Sequence, residues 1–195
     1  GMTRLNVYAG PAGFYLLRGG PDDLAAPTLP GASYEIPIAI QDRSFNSDGS
    51  LFYPDNRAFF EGLRPHQLKI PFAPDPACSG PSDVPPIWNP EFFGNTIVVN
   101  GLTWPYLEVQ KRRYRLRFLN GCNSRFLILK LDNDLPFWQI GAEGGFLSAP
   151  VALSRLLMAP AERADVIVDF SGVAAGSIIT LLNLGPDEPF GGGEP

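Results

Sequence analysis

The chain has 195 residues, of which 21 are Gly and 21 are Pro, a density of turn-formers and helix-breakers that excludes a helical bundle. Apolar residues make up 45% and aromatics 12%, enough to build a core, so the Gly and Pro punctuate a β-rich globule and not a disordered or collagen-like chain. A formal net charge of -5 opposes nucleic acid or anionic lipid as partners, and no apolar run reaches the roughly 18 residues of a membrane span.

Along the chain, residues 12–17 form a short apolar run closed by Arg18-Gly19-Gly20-Pro21, which predicts a strand followed by a loop to Gly31. Residues 34–41 alternate with period two: Tyr34, Ile36, Ile38 and Ile40 share one face, and Glu35, Pro37, Ala39 and Gln41 the other. One buried face follows. Pro37 has no N–H to give a ladder, which places it at a sheet edge or a bulge. Residues 54–90 carry prolines at 54, 65, 71, 74, 76, 81, 85, 86 and 90, so a long, rigid surface excursion is expected there, with one helical turn around residues 56–63. Strands are then predicted at residues 96–99, 106–109, 113–119, 126–131, 137–140, 155–158, 164–170 and 178–184. Turn signals separate them: Asn100-Gly101, Asn120-Gly121, Asp132-Asn133-Asp134, Gly144-Gly145, Ala159-Pro160 and Ser171-Gly172. Short strands at this spacing indicate an all-β, antiparallel sandwich or barrel, with Greek-key connections. No helix of ordinary length is evident, and residues 186–195 read as a linker.

The scarce residues bound the chemistry. His66 is the one histidine, and Cys78 and Cys122 are the only cysteines. A blue-copper site alone uses two His and one Cys, and a catalytic zinc site commonly uses three protein ligands, so a self-contained histidine-rich metal centre is excluded. His66 sits in the Pro-rich excursion and reads as structural or solvated; a hydrolase reading built on it lacks a G-x-S-x-G nucleophile elbow. Cys78 and Cys122 leave two alternatives, a disulfide tying the excursion to the turn after residue 119, or two free thiols. Lys111, Arg113, Arg115 and Arg117 share one face of a strand, opposite Arg112, Tyr114, Leu116 and Phe118. In an acidic chain this stripe reads as a solvated or salt-bridged face, or as a contact between domains. Asp132-Asn133-Asp134 lacks the glycine and distal Glu of a calcium loop and reads as a hairpin turn. The glycine runs at residues 10–13 and 141–145 lack the strand-to-helix context of a nucleotide site and read as turns. Residue chemistry by itself assigns no catalytic, cofactor-binding or metal-ligating residue.

Several strings are more specific than their chemistry: residues 1–10 (GMTRLNVYAG) with Gly13-Phe14-Tyr15, residues 36–38 (IPI), 41–45 (QDRSF), 93–101 (FGNTIVVNG), 104–109 (WPYLEV), 114–125 (YRLRFLNGCNSR) and 159–165 (APAERAD). In this order they resemble the multicopper oxidase family, of the bilirubin-oxidase and spore-coat-laccase type, in its second, middle cupredoxin-like domain. The resemblance implies that residues 1–20 are a strip from the end of the first cupredoxin domain and residues 21–185 the second domain. It implies a parent enzyme of three cupredoxin domains that couples oxidation of phenolic, bilirubin-like or metal-ion reductants to reduction of dioxygen to water. The copper ligands of such enzymes come from the first and third domains. None of their His-x-His pairs has a match here, and Cys122 lies in an Asn-Gly-Cys-Asn-Ser-Arg turn, so no copper is expected on this chain itself.

The expected role is therefore that of a copper-free scaffold between flanking first and third domains, inactive in isolation and prone to self-association through apolar surface left uncovered. Within it, Trp104-Pro105-Tyr106 is expected to anchor the start of a strand, and Glu162-Arg163 to close a turn by an ion pair. The alternative is a stand-alone cupredoxin-like module without copper that serves binding or assembly.

Overall fold

The computed structural model describes residues 4–17, 29–53 and 91–192. His66, Cys78 and the helical turn expected at residues 56–63 lie outside them. The chain divides into two compact units, Gly1–Arg43 with Phe93–Pro195, and Ser44–Phe92. In the smaller unit, a tight turn places Asn46 N–H on Ser50 O at 2.8 Å and bridges Phe45 to Leu51. Asp48 Oδ1 accepts from both Ser50 N and Ser50 Oγ, and Phe92 packs against Phe52 and Tyr53.

The larger unit opens with a short helix, α1 (Arg4–Ala9), which ends at Gly10 with φ 120°. Residues 11–17 form no strand, contrary to the sequence expectation, and Tyr15 and Leu17 are exposed. Their run is apolar but does not alternate, and it meets no partner strand among the described residues. The strands are β1 (Glu35–Arg43), β2 (Thr96–Val99), β3 (Leu102–Thr103), β4 (Arg113–Asn120), β5 (Leu127–Leu131), β6 (Phe137–Ala142), β7 (Gly145–Leu153), β8 (Leu156–Met158), β9 (Arg163–Asp169) and β10 (Leu181–Asn183). They form a seven-stranded sheet in the order β3-β2-β1-β4-β9-β6-β7 and a three-stranded sheet in the order β10-β5-β8. The all-β, two-sheet fold is the expected one. One pair, β1 with β4, is parallel; the other named pairs are antiparallel.

Three local expectations are corrected. Residues 106–109 form no strand; β3 follows the Asn100-Gly101 turn instead, and Trp104 and Tyr106 are 92% and 88% exposed, so they anchor no strand start. Gly145–Leu153, unassigned from sequence, is a nine-residue strand at the sheet edge. It escapes a period-two search because the segment is exposed on both faces, with Pro150 near its middle, as edge strands permit. The Asp132-Asn133-Asp134 turn forms, with Asp134 N–H on Leu131 O at 3.0 Å. It is no hairpin, because β5 and β6 belong to different sheets and the chain crosses between layers there.

Pro37 lies inside the sheet by strand order yet faces an edge. Strand β2 pairs with β1 only from Ile40 to Arg43. Beyond that point the Asn100 side chain substitutes for a strand: Nδ2 donates to Pro37 O at 2.9 Å and Oδ1 accepts from Ala39 N at 2.8 Å. Asn100 (φ 48°) and Gly101 (φ 84°) both sit in the left-handed region that a two-residue hairpin between β2 and β3 requires. The core lies between the sheets, where Tyr114, Leu116 and Phe118 of β4 and Val166 and Val168 of β9 meet Leu127, Leu129 and Leu131 of β5 and Met158 of β8. Phe118 meets Phe137 edge-on with centroids 6.1 Å apart, and burying a ring of that size contributes about 2–3 kcal/mol.

Candidate functional site

Alternation on β1 places Ile36, Ile38 and Ile40 on one face, and the next position of the same face is Asp42, which is fully buried. A carboxylate at the end of an apolar stripe must be paired to persist. Asp42 Oδ2 accepts from Gly94 N at 2.8 Å and Arg125 Nε at 3.4 Å, and Oδ1 accepts from Asn123 N at 3.2 Å. Arg125, itself buried, donates from Nη2 to Gly94 O at 2.7 Å and from Nη1 to Pro186 O at 3.2 Å, and it pairs with Asp187. Only glycine fits at 94, since a Cβ there would lie 2.4 Å from Arg43 N.

The same region gathers the end of β4. Asn120 is fully buried; its Nδ2 donates to Arg125 O and Met158 O, both at 2.9 Å, and its Oδ1 accepts from Cys122 N at 3.0 Å. Its backbone accepts from Ala161 N and donates to Glu162 O. Gly121 N–H donates to Ile40 O at 2.7 Å. On the other side of Asp42, Arg43 donates from Nη1 to Asp42 O at 2.8 Å and from Nη2 to Val7 O at 3.4 Å, with its guanidinium 4.9 Å from the centroid of the buried Tyr8 ring. Desolvation lowers the Arg43 pKa, and the Asp42 charge opposes that shift. Five strings scattered over the sequence, at residues 1–10, 41–45, 93–101, 114–125 and 159–165, thus meet in one polar node.

The node has little reactive chemistry of its own. Cys122 is a free, buried thiol whose Sγ lies 3.8 Å from Ile40 O. Burial, followed by the neighbouring Asp42 charge, pushes its pKa up, which keeps it protonated and a poor nucleophile or soft-metal ligand. Among the described residues no group of three or more His, Cys, Asp or Glu side chains converges to hold a metal ion. Blue copper or a copper cluster needs imidazoles and a thiolate, and this donor set does not fit them.

The arginine stripe forms a second polar region, on the face of β4 opposite the core. Register explains it. In β4–β9, Arg113 stands opposite Asp169 and Arg117 opposite Asp165; in β1–β4, Glu35 stands opposite Arg115. Arg115 donates from Nε and Nη2 to Asp165 at 2.8 and 2.5 Å, and Arg117 donates from Nε to Glu35 at 2.5 Å. Those short bonds run diagonally, and longer contacts between the directly opposite pairs, 3.7 Å (Arg115 to Glu35) and 3.3 Å (Arg117 to Asp165), close a neutral group of four charges. The stripe is salt-bridged, as one of its readings held, but Arg115 and Glu35 side chains are only 5% and 4% exposed. At its outer end Arg113 pairs with Asp169 at 2.9 Å and, with Ser171, lowers the Asp169 pKa to about 2. Arg112, expected beside Tyr114 on the core face, lays its guanidinium over the Tyr34 ring at 3.5 Å.

Glu162 and Arg163 do not pair with each other. Glu162 Oε2 accepts from Ala159 N at 2.7 Å and so closes its own turn, while Arg163 pairs with Glu143 across the sheet. Within residues 141–145 the β6–β7 turn is Glu143 and Gly144, both at positive φ, and the flanking residues pair as strand. Sequence reasoning did not single out Asp42 or Arg125. Their signal was present in the QDRSF and NGCNSR strings, but partners 83 residues apart cannot be paired without the fold.

No family model matches the chain. It is 46% identical to a laccase of Bacillus stratosphericus over 185 residues, covering 94% of this chain and 32% of that protein. It is 42% identical to a laccase of Bacillus subtilis (strain 168) over 184 residues, with 94% and 32% covered. In structure it resembles the McoA multicopper oxidase of the hyperthermophile Aquifex aeolicus with a TM-score of 0.57 at 33% identity, covering 77% of this chain and 27% of that one. The chain spans about a third of the length of the curated relatives it matches. Over that span, with a cupredoxin-type sandwich and family strings meeting in one buried node, the chain belongs to the multicopper oxidase family.

Proposed function

We propose that this chain is the second, copper-free domain of a longer multicopper oxidase, and that it works as a scaffold between a first and a third cupredoxin domain. In this reading residues 1–20 continue the first domain, residues 21–185 are the second, and residues 186–195 lead to the third. The parent couples oxidation of phenolic, bilirubin-like or metal-ion reductants at copper to reduction of dioxygen to water. The observation that carries the reading is coverage: the chain aligns along nearly its own length with laccases about three times longer. Its residues supply position and not redox chemistry: the family strings build a closed polar node, and its thiol is held protonated. Scaffolds of this kind act by holding distant ligand sets in fixed geometry.

The purified chain should hold no stoichiometric copper after loading and reversal of excess, and should not turn over phenols or bilirubin. Copper near one ion per chain by elemental analysis, or turnover with oxygen uptake, sinks the proposal. Trp104, Tyr106, Ile178 and Tyr15 are each close to nine-tenths exposed, and in the proposed scaffold the flanking domains cover them. Self-association of the isolated chain follows, and light scattering that reads only monomer at high concentration counts against it. The stand-alone module has no observation of its own in its favour.

A further inference from the structure

The stretches of chain before the first strand and after the last are fastened to the same residue, one through the Asp42 main-chain carbonyl and the other through its carboxylate. Before the first strand, Val7 and Tyr8 of α1 are held by Arg43, whose Nη1 also bonds Asp42 O. After the last strand, Pro186 O and Asp187 are held by Arg125, whose Nε meets Asp42 Oδ2. Phe190 then stacks on Phe126, the neighbour of Arg125, with centroids 4.7 Å apart and planes 20° from parallel.

Composition alone makes residues 186–195 a flexible linker, and five such residues left free would spread over roughly 11–13 Å. Residues 186–190 are instead docked. The anchor is not an ordinary surface pair, because the Arg125 side chain is 4% exposed while that of Asp187 is 93% exposed. A fixed, buried guanidinium thus reaches out to seize a strip that burial does not otherwise hold. Arg125 is oriented in turn by Asp42 and Gly94, and Gly94 is fixed by its close approach to Arg43. The leading and trailing strips therefore share one mechanical origin.

We propose that Asp42, acting through Arg43 and Arg125, is a positioning residue that clamps the strip before the first strand and the strip after the last to a single point of the sandwich. The consequence for catalysis rests on the proposed function: the two strips then become the connections to the first and third domains, and the clamp sets the separation at which those domains share copper. The coupling of the strips within this chain does not depend on that reading.

Hydrogen exchange measured on the 195-residue chain tests the coupling. Asp42→Asn removes the carboxylate and keeps the main-chain carbonyl, so it should speed exchange at residues 187–191 by at least tenfold and at residues 5–9 about threefold through the charge lost beside Arg43, with β9 unchanged, whereas Phe190→Ala should speed only the trailing strip. An Asp42→Asn chain in which one strip or neither loosens overturns the clamp. Should that variant not fold, Arg43→Gln keeps the carboxylate; it should loosen the leading strip tenfold and the trailing strip about threefold, and an unmoved trailing strip overturns the clamp as well. In the longer parent, Asp42→Asn should lower copper held per chain to below half while KM for the reductant is kept. Coupled strips with undiminished copper remove the catalytic consequence alone. A parent that holds no copper removes the proposed function and leaves the clamp standing.

Discussion

Strand β4 carries two polar regions that are built on different principles. At its C-terminal end Asn120 is enclosed, and the groups it bonds are backbone carbonyls and amides: Arg125 O, Met158 O and Cys122 N. Along its outer face Arg113, Arg115 and Arg117 bond carboxylates that neighbouring strands supply. Backbone partners have one position each, so the Asn120 site admits one geometry and fixes how the chain crosses from one sheet to the other. Carboxylate partners are redundant, because Glu35 and Asp165 each meet both Arg115 and Arg117. The first arrangement specifies the fold; the second holds a register that the fold has already set.

Removing Arg115 is the most severe way to break this contrast. Arg115→Ala leaves Asp165 and Glu35 with Arg117 alone in a nearly closed site and should cost about 3–5 kcal/mol, the range for stranding a buried charge. Urea unfolding monitored by fluorescence measures it; a loss below about 1 kcal/mol means that Arg117 serves both carboxylates and that redundancy goes further than argued. Asn120→Ala comes next, at about 2–4 kcal/mol, since two carbonyls and one N–H lose their partner in a closed site. Asn120→Asp should rescue little, because it turns an acceptor toward Arg125 O and Met158 O. If Asp proves equal to Asn in the same unfolding measurement, the amide is not the donor that fixes the turn.

The smallest effect is at the exposed end of the stripe. Asp169 has its pKa lowered to about 2, first by the Arg113 hydrogen bond and then by Ser171. A folded pKa below the unfolded value of about 3.9 makes the contribution to stability complete above that value and progressively lost as pH falls toward 2. Arg113→Ala should raise the Asp169 midpoint toward 3.9 in an NMR titration, with little change in stability at pH 7 because the pair is solvent-exposed. An unmoved midpoint would assign the shift to the Ser171 contacts.

Much of the fold was legible. The period-two face of β1, the Asn100-Gly101 turn and the strands from Arg113 onward were readable because apolar alternation and left-handed turn residues are local signals. Strand β7 was not, because an edge strand exposed on both faces need not alternate. Residues 106–109 misled in the opposite sense: they carry strand-forming side chains, but no strand among the described residues receives them. The polar node was half legible. Its strings stood out as family signals while their purpose did not, since a hydrogen bond from Arg125 to Asp42 is a fact about two chain segments that only folding brings together.

The sequence by itself determined that this chain is all-β, that its histidine and cysteines are too few for a copper centre, and that its strings are those of a multicopper oxidase. Composition and local periodicity suffice for the first two statements, and the third rests on the resemblance of the strings to the family. Only the tertiary structure decided that Asp42 ends an apolar stripe inside a shell of donors, that the arginine stripe is closed by acids from both neighbouring strands, and that residues 186–190 are docked. Those depend on register and on the crossing between sheets, where the cost of burying an unpaired charge selects one pairing among residues that lie far apart along the chain.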